Sequence, residues 1–293
     1  MKTREILYLL GFRPAPRTYG FEVSAFDLPR DGRVEYARWL HPRETAKTFS
    51  QESVDQLRKF LSPGDVAIDI GAHTGDSTIP MALAVGKSGV VLALEPNPYV
   101  FPVLKKNCEL NRDKMTIFPL PFAATPEDSV YEFEYSDAGF CNGGLHENVS
   151  RWKHGLAFKL KVTGKNLAAY LAREFPHLLP RIRYIKVDAE GYDLTVLSTL
   201  SDLIAKYHPF IRAEVFKWTR RPQRERLFQF LAAAGYTIWR VENEANYCGK
   251  ALGVESVMEW AHYDIFGVPQ STTAGSPALS TGARELSRGV RSD

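Results

Sequence analysis

Short apolar runs alternate with segments of helical periodicity from residue 65 onward, and this alternation constrains the fold more than any other feature of the sequence. The apolar runs fall at 66–70, 89–94, 115–120, 182–187, 209–216, 236–241 and, last, near 261–268. Helical patterns run through about residue 85 and over 97–110, 166–175, 193–207 and 223–234, and a less regular middle section carries strand-like pieces at 130–135 and 157–162. Strands that read as near-continuous apolar runs are buried on both faces, which requires a parallel sheet covered by helices. Right-handed crossovers then give an α/β, doubly wound, Rossmann-like sheet. Such sheets bind ligands beyond the carboxyl ends of their strands, so functional residues are expected there.

The flanking segments read differently. Residues 21–28 and 33–40 are strand-like and surround Pro29-Arg30-Asp31-Gly32, whose Asp-Gly pair favours a hairpin. Residues 50–61 form a helical pattern with Val54, Leu57, Phe60 and Leu61 on one face, closed by Pro63-Gly64. The chain therefore divides into an N-terminal extension of short helix, hairpin and helix (1–61), the α/β domain (62–269) and a polar tail (270–293) expected to be disordered. At 293 residues, 44% of them hydrophobic, the chain can bury a core without disulfides or metal. Cys108, Cys141 and Cys248 are odd in number and form no C-x-x-C, so reduced thiols and a cytoplasmic protein are expected. No apolar run approaches the roughly 18 residues of a transmembrane segment. The run Ile6 to Leu10 is too short for a secretory leader and reads as an amphipathic helix. A net charge of +3 gives no reason to expect a nucleic-acid partner.

The first apolar run ends in Asp69-Ile70-Gly71-Ala72-His73-Thr74-Gly75-Asp76-Ser77-Thr78. Glycines at 71 and 75 allow a sharp turn and a close approach of ligand to backbone. The second run ends in Glu95, 24 residues after Gly71, where a carboxylate can accept both hydroxyls of a ribose. A dinucleotide is the alternative ligand, but its binders use G-x-G-x-x-G, and here the spacing is G-x-x-x-G. Asp69 ahead of the glycines suits an ammonium group and opposes a diphosphate. S-adenosyl-L-methionine carries an ammonium, a sulfonium and a ribose but no phosphate.

The fourth core run ends Tyr184-Ile185-Lys186-Val187-Asp188-Ala189-Glu190-Gly191, and the fifth ends Arg212-Ala213-Glu214. Carboxylates gathered at strand ends of a buried sheet point to chemistry. Together with the glycine loop and Leu94-Glu95-Pro96-Asn97-Pro98, these segments resemble the FkbM-family methyltransferases, in order and spacing, over about 65–216 and, less strictly, to 268. The resemblance implies a class I methyltransferase fold, with a seven-stranded sheet whose last strand runs antiparallel between the fifth and sixth. It implies S-adenosylmethionine-dependent methylation, usually of a hydroxyl oxygen on a sugar, glycolipid or polyketide. His73 departs from the family, which most often has Asn there. Asn97-Pro98-Tyr99 only superficially matches the N-P-P-Y signature of amino-methylating enzymes and reads as a helix start.

On this reading the cofactor set is Asp69, Gly71, Ala72, His73, Thr74, Gly75, Ser77, Glu95 and Asn97, with Phe122 and Ala123 against the adenine. A hydroxyl is a poor nucleophile until its proton leaves, so a base or a metal is expected beside it. The catalytic candidates are Asp188, first among them, with Glu190, Glu214 and His73. No cluster has zinc spacing and no metal is assigned, although a hard cation between Asp188 and Glu214 is the alternative to an unaided base. The loop Cys141-Asn142-Gly143-Gly144-Leu145-His146 is expected either to touch the acceptor or to be plain surface. Lys217, Arg220, Arg221, Arg224 and Arg226 are expected to meet an anionic or carrier-linked small-molecule or glycan acceptor, or else to form a solvated face. The sequence assigns no oligomeric state.

Overall fold

The computed structural model describes residues 6–8, 10–12, 14–141, 143–145 and 157–270. The tail expected to be disordered lies, beyond Gln270, outside the described residues, as do Asn142 and His146 of the glycine-containing loop.

Two strands, β1 (Phe21–Leu28) and β2 (Gly32–Trp39), form the expected hairpin, with Leu28 opposite Gly32. Gly32 takes φ 68°, the left-handed conformation that the Asp-Gly turn supplies. Helix α1 (Gln51–Leu57) follows, its first turn capped by the Ser50 hydroxyl, which accepts the Ser53 N–H. The alternating part then runs β3 (Val66–Ile70), α2 (Thr78–Val85), β4 (Val90–Leu94), α3 (Phe101–Glu109) and β5 (Ile117–Leu120). After an excursion described below come β10 (Ile182–Val187), α5 (Asp193–Thr199), α6 (Ser201–Tyr207), β11 (Phe210–Val215), α7 (Arg221–Ala233), β12 (Tyr236–Arg240), the short β13 (Ala251–Leu252) and β14 (Tyr263–Pro269).

The sheet order is β13-β12-β14-β11-β10-β3-β4-β5. Strands β5, β4, β3, β10 and β11 are parallel, and β14 runs antiparallel between β11 and β12. Without the two-residue edge strand β13 this is the seven-stranded class I methyltransferase order. Every residue of β3 and β4 is buried, as near-continuous apolar strands require.

Three expectations change. The pattern over 97–110 gives a helix only from Phe101, because the Asn97 side chain accepts the Tyr99 N–H in a local turn and donates to the Phe140 carbonyl. The pattern over 193–207 splits into α5 and α6 at the buried Leu200. There the Ser198 and Thr199 hydroxyls bond back to the Leu194 and Val196 carbonyls, which bends a helix. The irregular middle section holds a second sheet, ordered β6-β9-β7-β8, from β6 (Ala123–Ala124), β7 (Ser129–Tyr135), β8 (Gly143–Gly144) and β9 (Phe158–Lys165). Helix α4 (Leu167–Glu174), capped by the Asn166 side chain, leads back to the main sheet.

The N-terminal elements pack into the main core. Leu28, Val34, Tyr36, Phe49, Val54 and Leu57 form one cluster with Ile79 and Met81 of α2 and with Tyr184, Phe210 and Phe266 of the sheet. Among the described residues no helix is long and apolar enough to cross a membrane.

Candidate active site

A cavity of about 690 Å³ opens at the carboxyl ends of β3, β4, β10 and β11, under the second sheet. Two turns make its floor. The first follows β3 and places His73 at φ 50°, a left-handed conformation that costs a non-glycine residue roughly 1–2 kcal/mol. The Glu95 carboxylate stabilises this turn by accepting the His73 N–H at 2.9 Å, and it accepts the Asn97 N–H at 2.8 Å. The second follows β10 and places Glu190 at φ 52° and Gly191 at φ 97°. Here the Asp193 carboxylate accepts the N–H groups of Ala189 at 3.3 Å and Gly191 at 3.1 Å. The two turns touch. A Cβ on Gly71 would stand 2.1 Å from the Asp188 carbonyl oxygen, so only glycine fits between them.

Of the expected cofactor residues, Gly71, His73, Ser77, Glu95, Phe122 and Ala123 line the cavity. Asp69, Ala72, Thr74, Gly75 and Asn97 do not, and each has another task. Asp69 is fully buried behind the loop, accepts the Ser77 and Thr78 hydroxyls, and lies 3.5 Å from the Lys186 ammonium. Its side chain packs against Lys186, which lies beside it in register, and its Oδ1 has no hydrogen-bond partner. Thr74 shares a 2.6 Å hydrogen bond with the Tyr36 hydroxyl, and Ala72 packs among Ala93, Leu104 and Cys108. Gly75 lies against Leu104, and Asn97 ties the β4 end to Phe140.

Among the catalytic candidates, Asp188, Glu190 and His73 line the cavity, and Glu214 does not. The Asp188 side chain is 44% exposed and lies 3.4 Å from Lys186, which thus bridges it to Asp69. The two anions outweigh the burial of Lys186, so its pKa is raised. Burial, and then the charge of Asp188, push Glu190 up to about 7. The same causes push Asp193 up to about 8. Glu214 is pushed up to about 11 by burial and by the surrounding Asp188, Asp193 and Glu190, so it is a neutral acid at pH 7. It contacts the exposed His262 ring at 3.3 Å, and its second oxygen is buried without a hydrogen-bond partner. A neutral carboxyl outside the cavity lining is poorly suited to act as a base.

Several further residues that shape the site have no assigned role in the sequence reading. Asn107 on α3 holds the Ala37 N–H and carbonyl and the Thr74 carbonyl, tying the hairpin to the glycine loop. Lys47 contacts Asp76 at 2.8 Å and Glu44 at 3.5 Å, and all three line the cavity. Burial works to raise the Asp76 carboxyl, but Lys47 outweighs it and holds the group below the usual carboxylate range. Gly143 and Gly144 form β8, where a Cβ on Gly144 would come within 3.2 Å of the Glu190 side chain. The sequence hints at two of these: Asp76 directly follows the G-x-x-x-G loop, and Gly143 and Gly144 lie in the 141–146 loop expected either to touch the acceptor or to be plain surface.

The basic group after β11 divides. Arg224 is buried and donates to the carbonyls of Phe216, Thr219, Val257, Trp260 and Ala261, so it clasps the chain together and binds no acceptor. Arg221 pairs with Glu225 on α7 itself. Lys217 lies over the rings of Phe216 and Trp218.

Several solved structures are similar in fold. A methyltransferase FkbM from Methylobacillus flagellatus is 13% identical with a TM-score of 0.43, the match covering 71% of this chain and 44% of that one. Fibrillarin from Aeropyrum pernix, solved with S-adenosyl-L-methionine, is 13% identical with a TM-score of 0.40, covering 87% and 97%. A SAM-dependent O-methyltransferase from Thermotoga maritima is 11% identical with a TM-score of 0.40, covering 85% and 78%. The chain thus spans less than half the length of the FkbM structure. No curated protein matches it. The model of the methyltransferase FkbM domain matches residues 69–238, more than half of the chain, and the protein accordingly belongs to the FkbM methyltransferase family, whose methyl donor is S-adenosylmethionine.

Proposed function

We propose that the protein is an O-methyltransferase that acts on a hydroxyl of a sugar, glycolipid, polyketide or similar small acceptor. One observation carries this reading: Asp188 and Glu190 stand together on the cavity, and Glu190 is tuned to about 7. A carboxylate of that pKa is poised to take a proton near neutral pH.

The cavity suits the methyl donor. Its volume of about 690 Å³ is that of a cofactor site. Each Glu95 oxygen accepts one backbone N–H and keeps a further acceptor position for a ribose hydroxyl. Phe122, Ala123 and Ala124 offer an apolar wall for the adenine. The lining carries seven carboxyl side chains against four Lys and Arg side chains, an excess that favours a sulfonium and an ammonium over a diphosphate. When bound, the cofactor supplies an electrophilic methyl group.

The chain's own residues do the rest. Lys186 pairs with Asp188 on the cavity, where Asp188 orients the acceptor hydroxyl. Glu190 takes the hydroxyl proton as the oxygen becomes nucleophilic. The Gly71–Asp188 contact fixes the distance between the donor turn and the acceptor turn, and a fixed near-attack geometry is a large part of such catalysis. The three thiols, all free, accord with a cytoplasmic reaction. Incubating the protein with isotopically labelled S-adenosylmethionine and panels of glycans, lipids and cell extracts, then identifying labelled products by mass spectrometry, tests the proposal. Label on nitrogen or carbon would overturn the O-methyl assignment.

A further inference from the structure

Three side chains that the sequence keeps far apart meet on the cavity wall. Glu44 lies between β2 and α1, His73 at the tip of the first turn, and Cys141 just before β8. One ligand atom of each lies within 4.8 Å of the other two. Glu44 Oε2 is 3.9 Å from His73 Nδ1 and 4.0 Å from Cys141 Sγ. These separations are long for hydrogen bonds. They are about half an ångström longer than the roughly 3.3–3.6 Å between ligand atoms that tetrahedral zinc bond lengths imply.

Two further observations point the same way. The other polar atom of two of these side chains, Glu44 Oε1 and His73 Nε2, is also buried without a hydrogen-bond partner, so both side chains keep unmet capacity at this wall. Lys47 lies 3.5 Å from Glu44 and closer, at 2.8 Å, to Asp76. His73 also holds a left-handed backbone that asparagine would adopt at less cost, and strain kept at a cavity indicates a use for the imidazole.

We propose that Glu44, His73 and Cys141 form a zinc site whose fourth position opens to the cavity. The donor set selects the metal: a thiolate and an imidazole favour zinc over magnesium or calcium. Carboxylate, thiolate and neutral imidazole together neutralise a divalent cation. Three protein ligands with one open position is the arrangement of catalytic zinc, and all three residues line the cavity. The open position takes an oxygen or sulfur donor of the acceptor, holds it, and lowers its pKa. That last role rests on the methyl-transfer reading; the metal site itself does not.

The test uses the full chain, stripped with a chelator and titrated with Zn²⁺ alone against a chromophoric competitor, and in parallel with Co²⁺. One equivalent of zinc should bind. The cobalt form should show tetrahedral d–d bands and a thiolate-to-cobalt charge-transfer band that Cys141→Ser abolishes. His73→Asn, which suits the left-handed position, and Glu44→Gln should each weaken zinc binding at least about tenfold, a loss of ~1.4 kcal/mol. Absence of zinc uptake by the wild-type chain, a charge-transfer band that survives Cys141→Ser, or unchanged affinity in folded His73→Asn would each overturn the site. S-adenosylhomocysteine affinity, measured on the same preparations, separates the two readings. Retained binding with no zinc uptake rejects only the metal, and zinc uptake without it rejects only the methyl-transfer site.

Discussion

Two carboxylates one residue apart, Asp188 and Glu190, are set to different tasks by their surroundings. Asp188 has Lys186 beside it at 3.4 Å, whereas Glu190 is buried next to the Asp188 carboxylate and binds its proton up to about pH 7. Asp188→Asn keeps the shape and removes the charge, and we expect kcat to fall about 10²-fold, as loss of positioning does, with S-adenosylhomocysteine affinity little changed. A variant that loses melting temperature but turns over normally when folded would make Asp188 a structural partner of Lys186. For Glu190 the deprotonated form is the active one, so the rate should rise with pH through about 7 and level off above it. In Glu190→Gln that inflection should vanish from the pH–rate profile. Glu214 gives the opposite signature in stability. Its folded pKa, about 11, lies above the unfolded value, so the folded state binds the extra proton and stability falls as pH rises from about 4.5. Glu214→Gln should therefore stabilise the protein by ~1–3 kcal/mol at pH 7 and by almost nothing at pH 4, as denaturant melts at the two values would show.

Each element earns its position through a contact that its own periodicity does not announce. Helix α3 reads as an ordinary amphipathic helix, yet its buried Asn107 joins the hairpin to the glycine loop by three hydrogen bonds of 2.6–2.9 Å. Asn107→Ala would leave an N–H and two carbonyls without their partner, at a cost of at least about 2 kcal/mol. Because the Thr74 carbonyl is among them, cofactor affinity should fall along with the melting temperature; a drop in stability alone would show that the loop keeps its shape without this clamp. The two left-handed residues follow one rule. Each strand-end turn holds its non-glycine tip, His73 or Glu190, through a buried carboxylate that accepts backbone N–H groups, Glu95 in one case and Asp193 in the other. The alternation of apolar runs made β3, β4, β10 and β11 legible. The second sheet was legible only in part: its two long strands, β7 and β9, coincide with strand-like pieces at 130–135 and 157–162, whereas the two-residue β6 and β8 and the pairing across long separations leave no local signal.

The molecule as a whole has one main sheet, and the N-terminal hairpin completes its cover. Val34, Tyr36, Ala37 and Trp39 are each at most 1% exposed, so the hairpin is part of the core and no appendage. Burying a large side chain contributes roughly 1.5–3 kcal/mol, and a domain's net stability is only about 5–15 kcal/mol. Removing residues 1–41 should accordingly abolish cooperative unfolding in a calorimeter. A truncated chain with a sharp transition would show instead that the sheet and its helices suffice. In the full chain, S-adenosylhomocysteine at 100 times its Kd should add about 2.7 kcal/mol of stability, read as a raised melting temperature.

The sequence by itself determined the parallel sheet, its reversed last strand through the family resemblance, and the strand ends that carry chemistry. These follow from local signals, apolar periodicity and glycine spacing, which any window of the chain displays. Only the tertiary structure decided which polar residues face the cavity. Asp69 and Glu95 both lie at or beside a strand end, yet Asp69 is buried against Lys186 while Glu95 lines the cavity. Glu214 ends its strand as Asp188 follows the neighbouring one, but packing leaves it buried among like charges and therefore neutral. Glu44, His73 and Cys141 come together from three separate segments. Desolvation and charge proximity act through space, and the distances that set them exist only once the chain has folded.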